Sequence, residues 1–320
     1  MASKIFRYAG FGLENTYGTP VAAAIHTDIT GASLDAPDDP NLYYAGGLGR
    51  ARRVVRPGAY APTGNIVQGI DVDSIAYLLY AALGGYSHDT GVHTIWGNVQ
   101  DVLLPSLTTR IGKDLYEHVF QGCIINSLQI VADDSFAQVT ADMVAQKDAK
   151  ATIAELAALS LPDEPVLAFH ELSVTAGLTT ANVRSFELNI ENNVDAGNGR
   201  GIGSRYPYRL PAGERIVTAS MGLWFEDTTQ RERFWGSASG PDDDGATEFA
   251  LTLNLDGGDG KGMAIDLPAC IISGNPHQPS ERSRLDESIT VQCMVGTADG
   301  TETDIRVDVT NGVEDLEGAS

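Results

Sequence analysis

Six histidines (His26, His88, His93, His118, His170 and His277) and three cysteines (Cys123, Cys270 and Cys293) are the side chains of this sequence best suited to proton transfer, thiol chemistry or soft-metal ligation. No histidine stands beside a serine or cysteine nucleophile with an orienting acid, and no HExxH pattern occurs. Each cysteine lies in an apolar, strand-like run without CxxC or mixed Cys/His spacing. All three therefore read as small buried hydrophobes, with neither a zinc site nor a disulfide framework expected. The run Gly197-Asn198-Gly199-Arg200-Gly201-Ile202-Gly203 lacks the lysine-serine pair, the GxGxxG spacing and the βαβ setting that a phosphate cradle needs. Asn254, Asp256, Asp259 and Asp242-Asp243-Asp244 offer hard oxygens, but no twelve-residue loop ending in glutamate surrounds them, which favours solvated acidic turns over calcium ligation. The expectation is a protein without catalysis, cofactor or bound metal.

The arginines are distributed differently. Arg50, Arg52, Arg53 and Arg56 fall within seven residues with no acid among them, and Arg200, Arg205, Arg209 and Arg215 repeat the enrichment; together they are half of the chain's arginines. Guanidinium forks pair bidentately with carboxylates, so loops that concentrate them suit contact with an acidic surface on another subunit. The alternative is a solvated loop whose arginines serve solubility.

The elements that must position these loops follow from composition and pattern. A chain of 320 residues, 42% of them hydrophobic, can bury one large or two ordinary cores, and its 35 glycines and 14 prolines suggest many turns between short strands. The net charge of -22 arises from 43 acids against 21 bases, of which only five are lysines. Such self-repulsion is tolerable where salt screens it, since the Debye length falls to about 3 Å at 1 M. The balance suits a very salty environment, with an ordinary acidic soluble protein as the alternative, and it disfavours non-specific nucleic-acid binding, which depends on cationic groups. The most apolar helical stretch, residues 75–83, is far short of a membrane span, and the N-terminus leads into no apolar segment, so no membrane association is expected.

The same order of elements occurs twice, at 29–144 and at 183–295. Each pass opens with an alternating strand (29–35; 183–190, with Phe186, Leu188 and Ile190 on one face). A glycine- and arginine-rich excursion follows, then a second strand and an N-cap pair, Asp73-Ser74 or Asp227-Thr228, opening a short helix. Beyond the helix come a strand (103–111; 249–255), a strand holding Cys123-Ile124-Ile125 or Cys270-Ile271-Ile272, and a closing strand that ends in Met-Val. Between the passes, 147–160 reads as a short helical linker, and the acidic tail carries an Ile305, Val307, Val309 alternation that suggests one more strand added to a neighbouring sheet.

The segment Gly12-Leu13-Glu14-Asn15-Thr16-Tyr17-Gly18-Thr19-Pro20-Val21 resembles the opening of the siphovirus-type major tail tube proteins of long-tailed phages and archaeal viruses. The likeness continues through Leu104-Pro105-Ser106-Leu107-Thr108, Phe120-Gln121-Gly122, Ala168-Phe169-His170 and Ser185-Phe186-Glu187-Leu188-Asn189-Ile190. The order of these weakly specific motifs, rather than any one of them, carries it.

That resemblance implies a mainly β fold: two tandem antiparallel β-sandwich modules, each with a flanking short helix, contributing to a ring with a central β-barrel. The organisation expected is an N-terminal arm (1–28), a first tube module (29–146), a linker (147–165), a second module (166–295) and an acidic C-terminal arm (296–320). A ring presents six modules, so three chains would complete it; a hexamer whose second halves are decorations is the competing geometry. The implied function is a structural virion protein, assembled in the host cytoplasm, whose rings stack head to tail into the hollow tail tube that conducts viral DNA. Its implied partners are further copies of itself, a tape-measure protein in the lumen, and tail-terminator and baseplate or hub proteins at the ends, with DNA passing unbound. Alternatives are another ring-forming tail protein, a terminator or hub, or an acidic β-sandwich module that binds a ligand at its loops. The resemblance also implies that the long hairpin reaches the adjacent ring, making Arg50, Arg52, Arg53, Arg56, Arg200, Arg205 and Arg209 the candidate inter-ring contacts. The lumen is expected to be net negative, but which acids face it depends on strand register, since a one-residue slip inverts every face.

Overall fold

Period-two patterning governs most of the chain. Along 183–191 the side chains of Phe186, Leu188 and Ile190 are buried while Glu187 between them is exposed, because a pleated strand turns successive residues to opposite faces. The computed structural model describes residues 7–45, 49–101, 103–162, 166–178, 183–243, 245–276, 286–313 and 315–317.

The first half contains β1 (Ala9–Leu13), β2 (Ile25–Thr27), β3 (Gly31–Ala32), the hairpin β4 (Asn41–Tyr44) and β5 (Val54–Pro57), and β6 (Thr63–Gly69). Helix α1 (Val72–Leu83) follows, then the hairpin β7 (Gly84–Asp89) and β8 (Val92–Gly97), β9 (Leu107–Lys113), β10 (Tyr116–Asp133), β11 (Gln138–Val144) and β12 (Lys147–Ala151). The second half contains β13 (Leu172–Ala176), β14 (Val183–Glu191), β15 (Ile216–Trp224), helix α2 (Thr229–Trp235), β16 (Phe249–Gly258) and β17 (Lys261–Gly274). It ends with β18 (Asp286–Met294), a small hairpin of β19 (Gly296–Ala298) and β20 (Thr301–Thr303), and β21 (Arg306–Thr310). The protein is mainly β, as expected, with antiparallel pairing throughout its sheets.

One sheet spans both halves. Its eight strands run β3-β6-β11-β10-β14-β15-β18-β17, each antiparallel to the next. Two shorter sheets pack over its inner face: β2-β1-β9-β10-β12 from the first half, and β13-β16-β17-β21 from the second, extended by the first-half hairpin β8-β7. Strands β10 and β17 serve two sheets each, and both cross over at the repeated tripeptide. Cys123 lies opposite Leu107, the first residue of β9, and Cys270 lies opposite Phe249, the first residue of β16. Followed from partner to partner among the described residues, the pairings end at free edges and never return to their start.

The repeated set reaches further than the sequence pattern. β12 runs on from β11 along one edge of β10, and β21 runs on from β18 along one edge of β17. β1 flanks β9 as β13 flanks β16. Thus β1 and β12, in the segments read as an arm and a linker, have counterparts in the second half. The helical reading of 147–160 is corrected: β12 and one 3-10 turn (Leu156–Ala158) stand there, because the edge of β10 offers a ladder that overrides the high helix propensity of these alanines, lysines and leucines. The alternation in the tail does form a strand, β21, with Val307 and Val309 fully buried in it and Ile305 fully buried just before it.

Other expectations shift. The strand read at 29–35 contracts to β3, continued by an isolated bridge between Asp35 and Thr63. The α1 cap is Asp71, two residues before the expected Asp73-Ser74 pair; its carboxylate accepts from the Ser74 backbone N–H (2.7 Å) and from the Thr27 hydroxyl (3.1 Å). Eleven of the twelve α1 residues are buried, and a helix apolar all round belongs in a core, where it packs against β10, β8 and β1. The second helix, capped at Thr228, has no fully buried residue and lies on the flank over β17. The Met-Val endings prove offset by one position. Met143 is buried, whereas Cys293 takes the inward position in β18 and Met294 is 47% exposed. All three cysteines are buried thiols.

Candidate assembly surfaces

Glu14 organises the N-terminal motif. Its carboxylate accepts four hydrogen bonds: from the backbone N–H groups of Gly18 (2.7 Å) and Gly122 (2.8 Å) and from the hydroxyls of Ser106 (2.7 Å) and Thr108 (2.9 Å). Gly122 sits at the bulge of β10 with φ +62°, and a Cβ there would meet Gln146 Cβ at 2.9 Å and the Tyr17 ring at 3.1 Å. Three of the quoted motifs, those at 12–21, 104–108 and 120–122, therefore meet at one carboxylate. Their role is to fix the sheet junction.

The first arginine loop is a projecting hairpin. In β4 and β5 every residue is exposed, including Leu42 (64%), Tyr44 (67%) and Val55 (57%). Arg50, Arg52, Arg53 and Arg56 are exposed on it, with the Arg52 guanidinium 4.6 Å from the centre of the Tyr43 ring. Its two ends are clamped to the sheet beneath. Asp35 receives Lys113 Nζ (2.9 Å), and Tyr60 donates to Asp148 (2.6 Å), whose other oxygen contacts His118 Nε2 (2.7 Å). Burial, which would raise the pKa of Asp35, is outweighed by the Lys113 ammonium, which holds this carboxyl below its usual range.

The second arginine loop, between β14 and β15, has no strand and divides its arginines. Arg200 and Arg209 are exposed. Arg205 instead lies over Tyr60 (4.9 Å) and Tyr206 (5.7 Å), while its backbone carbonyl accepts from the Tyr60 N–H (2.9 Å), so it braces the root of the hairpin. Arg215 makes a bidentate pair with Asp304 (2.8 and 2.9 Å) and also donates to the Asn98 carbonyl (2.9 Å). Spacing alone could not separate these internal roles from the outward ones.

The third surface is the outer face of the eight-stranded sheet. Register now assigns it: Asp133 of β10, Asp142 of β11, Glu187 and Glu191 of β14 and Asp286 of β18 all point away from the core. Amide neighbours hold several of these carboxylates, with Gln129 donating to Glu187 (2.7 Å), Asn126 to Asp142 (3.2 Å) and Asn189 to Glu191 (3.0 Å). Against these five acids the face carries, among the described residues, one guanidinium, Arg184, which pairs with Asp286 (3.0 Å) and covers the Trp224 ring at 4.5 Å. Most of the remaining outward positions are hydroxyls and amides such as Ser127, Thr140, Thr218 and Gln292. Two halves join within this face. β10 and β14 pair from Ser127 opposite Glu191 to Asp133 opposite Ser185, and buried Asn192 donates to the Ala82 (2.9 Å) and Ile125 (3.1 Å) carbonyls beside the join.

The groups weighed for other chemistry are dispersed. Asn254 and Asp256 lie within β16, Asp259 at the β16–β17 turn, and Asp242 and Asp243 on the loop after α2; Asp244 and His277 lie outside the described residues. His93 is buried, with Nδ1 2.9 Å from the Tyr86 hydroxyl and Nε2 2.9 Å from Asn311 Oδ1, and burial lowers its pKa. The glycine run at 197–203 forms turns within the second arginine loop.

A mainly antiparallel scaffold with one long sheet bare on a polar face, and a hairpin thrust outward, is the frame of a structural protein. Residues 7–293 match the phage tail tube protein family, and the chain belongs to that family. It is a structural component of the virion tail tube. Comparison with curated proteins gives no match.

Proposed function

We propose that each chain supplies two β-sandwich modules to a ring, so that three copies complete a pseudo-sixfold ring and rings stack head to tail into the tube that conducts viral DNA. The observation that carries this reading is the eight-stranded sheet: core packs on one face, and the other is polar and carries, among the described residues, five carboxylates to one guanidinium. Three such sheets would give a barrel of about 24 strands. At ~4.8 Å per strand and a tilt near 40°, its backbone diameter is on the order of 50 Å. An anionic wall repels phosphates, so a genome passes without sticking. Lateral contacts close by rotation, whereas ring-on-ring contacts are heterologous and generate a filament.

The hairpin arginines, Arg50, Arg52, Arg53 and Arg56, supply the ring-to-ring contact in this reading, together with Arg200 and Arg209; Arg205 supports them from beneath. A tape-measure protein in the lumen sets length, and terminator and baseplate or hub proteins cap the ends. The role is structural, without catalysis. Changing Asp142, Glu187 and Glu191 to lysine tests the conduit face. Tubes of the variant, assembled at molar salt and fixed by chemical crosslinking, should hold short duplex DNA once moved to low salt and release it as salt rises, while wild-type tubes treated alike hold none. Equal DNA retention by both would remove this face from the lumen.

A further inference from the structure

We propose that Cys270 and Cys293 form a redox modification site: two thiols held face to face, which a small peroxide converts into a cross-strand disulfide once the protein leaves a reducing compartment. This goes beyond the tube reading and does not depend on how many chains make a ring. Cys270 of β17 and Cys293 of β18 are opposed partners in an antiparallel ladder, and both side chains turn into the core. Opposed residues of such a ladder stand about 4.5–5.5 Å apart at Cα, inside the range of about 4.4–6.8 Å that a disulfide spans. Cys270 Sγ donates to the Leu267 carbonyl (3.6 Å), and the two thiols hydrogen-bond with each other. Cys123 holds the repeat-equivalent position in β10, but β11 contains no cysteine, so the pair belongs to the second half alone.

The surroundings set the conditions for the reaction. The hydrogen bond with Cys270, and after it burial, push the Cys293 thiol pKa up, so thiolate is scarce and oxidation is slow. Thiols stay reduced in a cytoplasm, whereas a particle outside the cell meets oxidising conditions. Cys293 is the point of entry: it is 5% exposed against 0% for Cys270, and Met294 and Val295 beside it are exposed. Its sulfur attacks one oxygen of hydrogen peroxide, the O–O bond breaks, and a sulfenic acid and one water result. The Cys270 sulfur then attacks the Cys293 sulfur and displaces the hydroxyl as a second water. Two thiols and one peroxide thus give one disulfide and two waters, with two electrons passing from the sulfurs to the peroxide oxygens. The bond closes the loop 271–292 and ties β17 to β18 at the point where β17 crosses between sheets.

Thiol counting before and after hydrogen peroxide tests the site. The purified protein is oxidised, then unfolded in acid denaturant and alkylated so that no bridge can rearrange. The wild-type chain should fall from three free thiols to one, with a peptide linking Cys270 to Cys293 in non-reducing mass spectrometry and no covalent dimer on gels. Its Tm should rise by about 5 °C on oxidation and return with dithiothreitol. Cys123→Ala should behave in the same way, whereas Cys293→Val and Cys270→Ala should each keep two thiols and show no rise. Three thiols surviving peroxide, a sulfinic acid on Cys293 without the linked peptide, or a bridge between chains in its place would overturn the proposal. Should either core variant fail to fold, the wild-type thiol count and linked peptide decide it alone.

Discussion

Glu14 shows how one side chain can hold distant parts of a sandwich together. Removing its carboxylate strands two backbone N–H groups and two hydroxyls that were satisfied, so Glu14→Ala should cost about 2–4 kcal/mol in urea unfolding, with Glu14→Gln recovering part of the loss. Gly122→Ala should cost about 1–3 kcal/mol in the same assay, through its left-handed backbone and the crowding of Tyr17 and Gln146. Burial lowers the pKa of both His26 and His93, so their folded values lie below the ordinary ~6.5. The unfolded chain then takes up protons first as pH falls; the stability is fully present above pH ~6.5 and is lost progressively below it. Tm should fall with acidification through this range, and His93→Gln should shallow the slope; an unchanged slope in that variant would take His93 out of the account. At this scale the sequence was partly legible. It marked the motif around Glu14 but not its function, because Ser106, Thr108 and Gly122 lie roughly a hundred positions away and only the fold brings them together. It marked the arginine clusters, yet Arg205 and Arg215 turn inward because aromatic rings and Asp304 lie beside them in space alone.

The elements were more legible than their ends. β14, β15 and the two Cys-Ile-Ile strands follow from alternation and β-branched content. β3 shrank because only part of 29–35 has a strand beside it within one chain, and β12 was misread because helix propensity could not reveal a vacant ladder along β10. The hairpin of β7 and β8 went unread, although Tyr86 and His88 alternate before the Thr90-Gly91 turn, because its partner β21 lies more than two hundred residues away. That long-range pairing makes a prediction: β21 fills the gap between β17 and β8 and is fully buried at Val307 and Val309, so a chain ending at residue 303 should lose its cooperative thermal transition. The projecting hairpin behaves oppositely. Its residues are exposed in the single chain, so replacing Arg50, Arg52, Arg53 and Arg56 with serine should change stability by less than about 1 kcal/mol yet shorten or abolish tubes seen by electron microscopy. Tubes of normal length from that variant would remove the inter-ring role.

At the scale of the whole molecule, a single sheet runs through both halves without a break, because the two halves present strands in the same order and β10 meets β14 at their boundary. β10 of the first half pairs with β14 of the second, and among the described residues the sheet ends at β3 on one side and β17 on the other. The charge of -22 sits on this frame as a constraint on conditions: mutual repulsion among carboxylates opposes both folding and ring closure unless salt screens it, so Tm and assembly should both rise between about 0.1 and 2 M salt. The measurement that tests the central claim most directly is electron microscopy of the purified protein at molar salt, with class averages of end-on views. The account requires hollow tubes of stacked rings, sixfold in outline, with three chains in each ring. Rings of six chains would contradict the two-module geometry, and dispersed monomers in every condition would contradict the tube function itself.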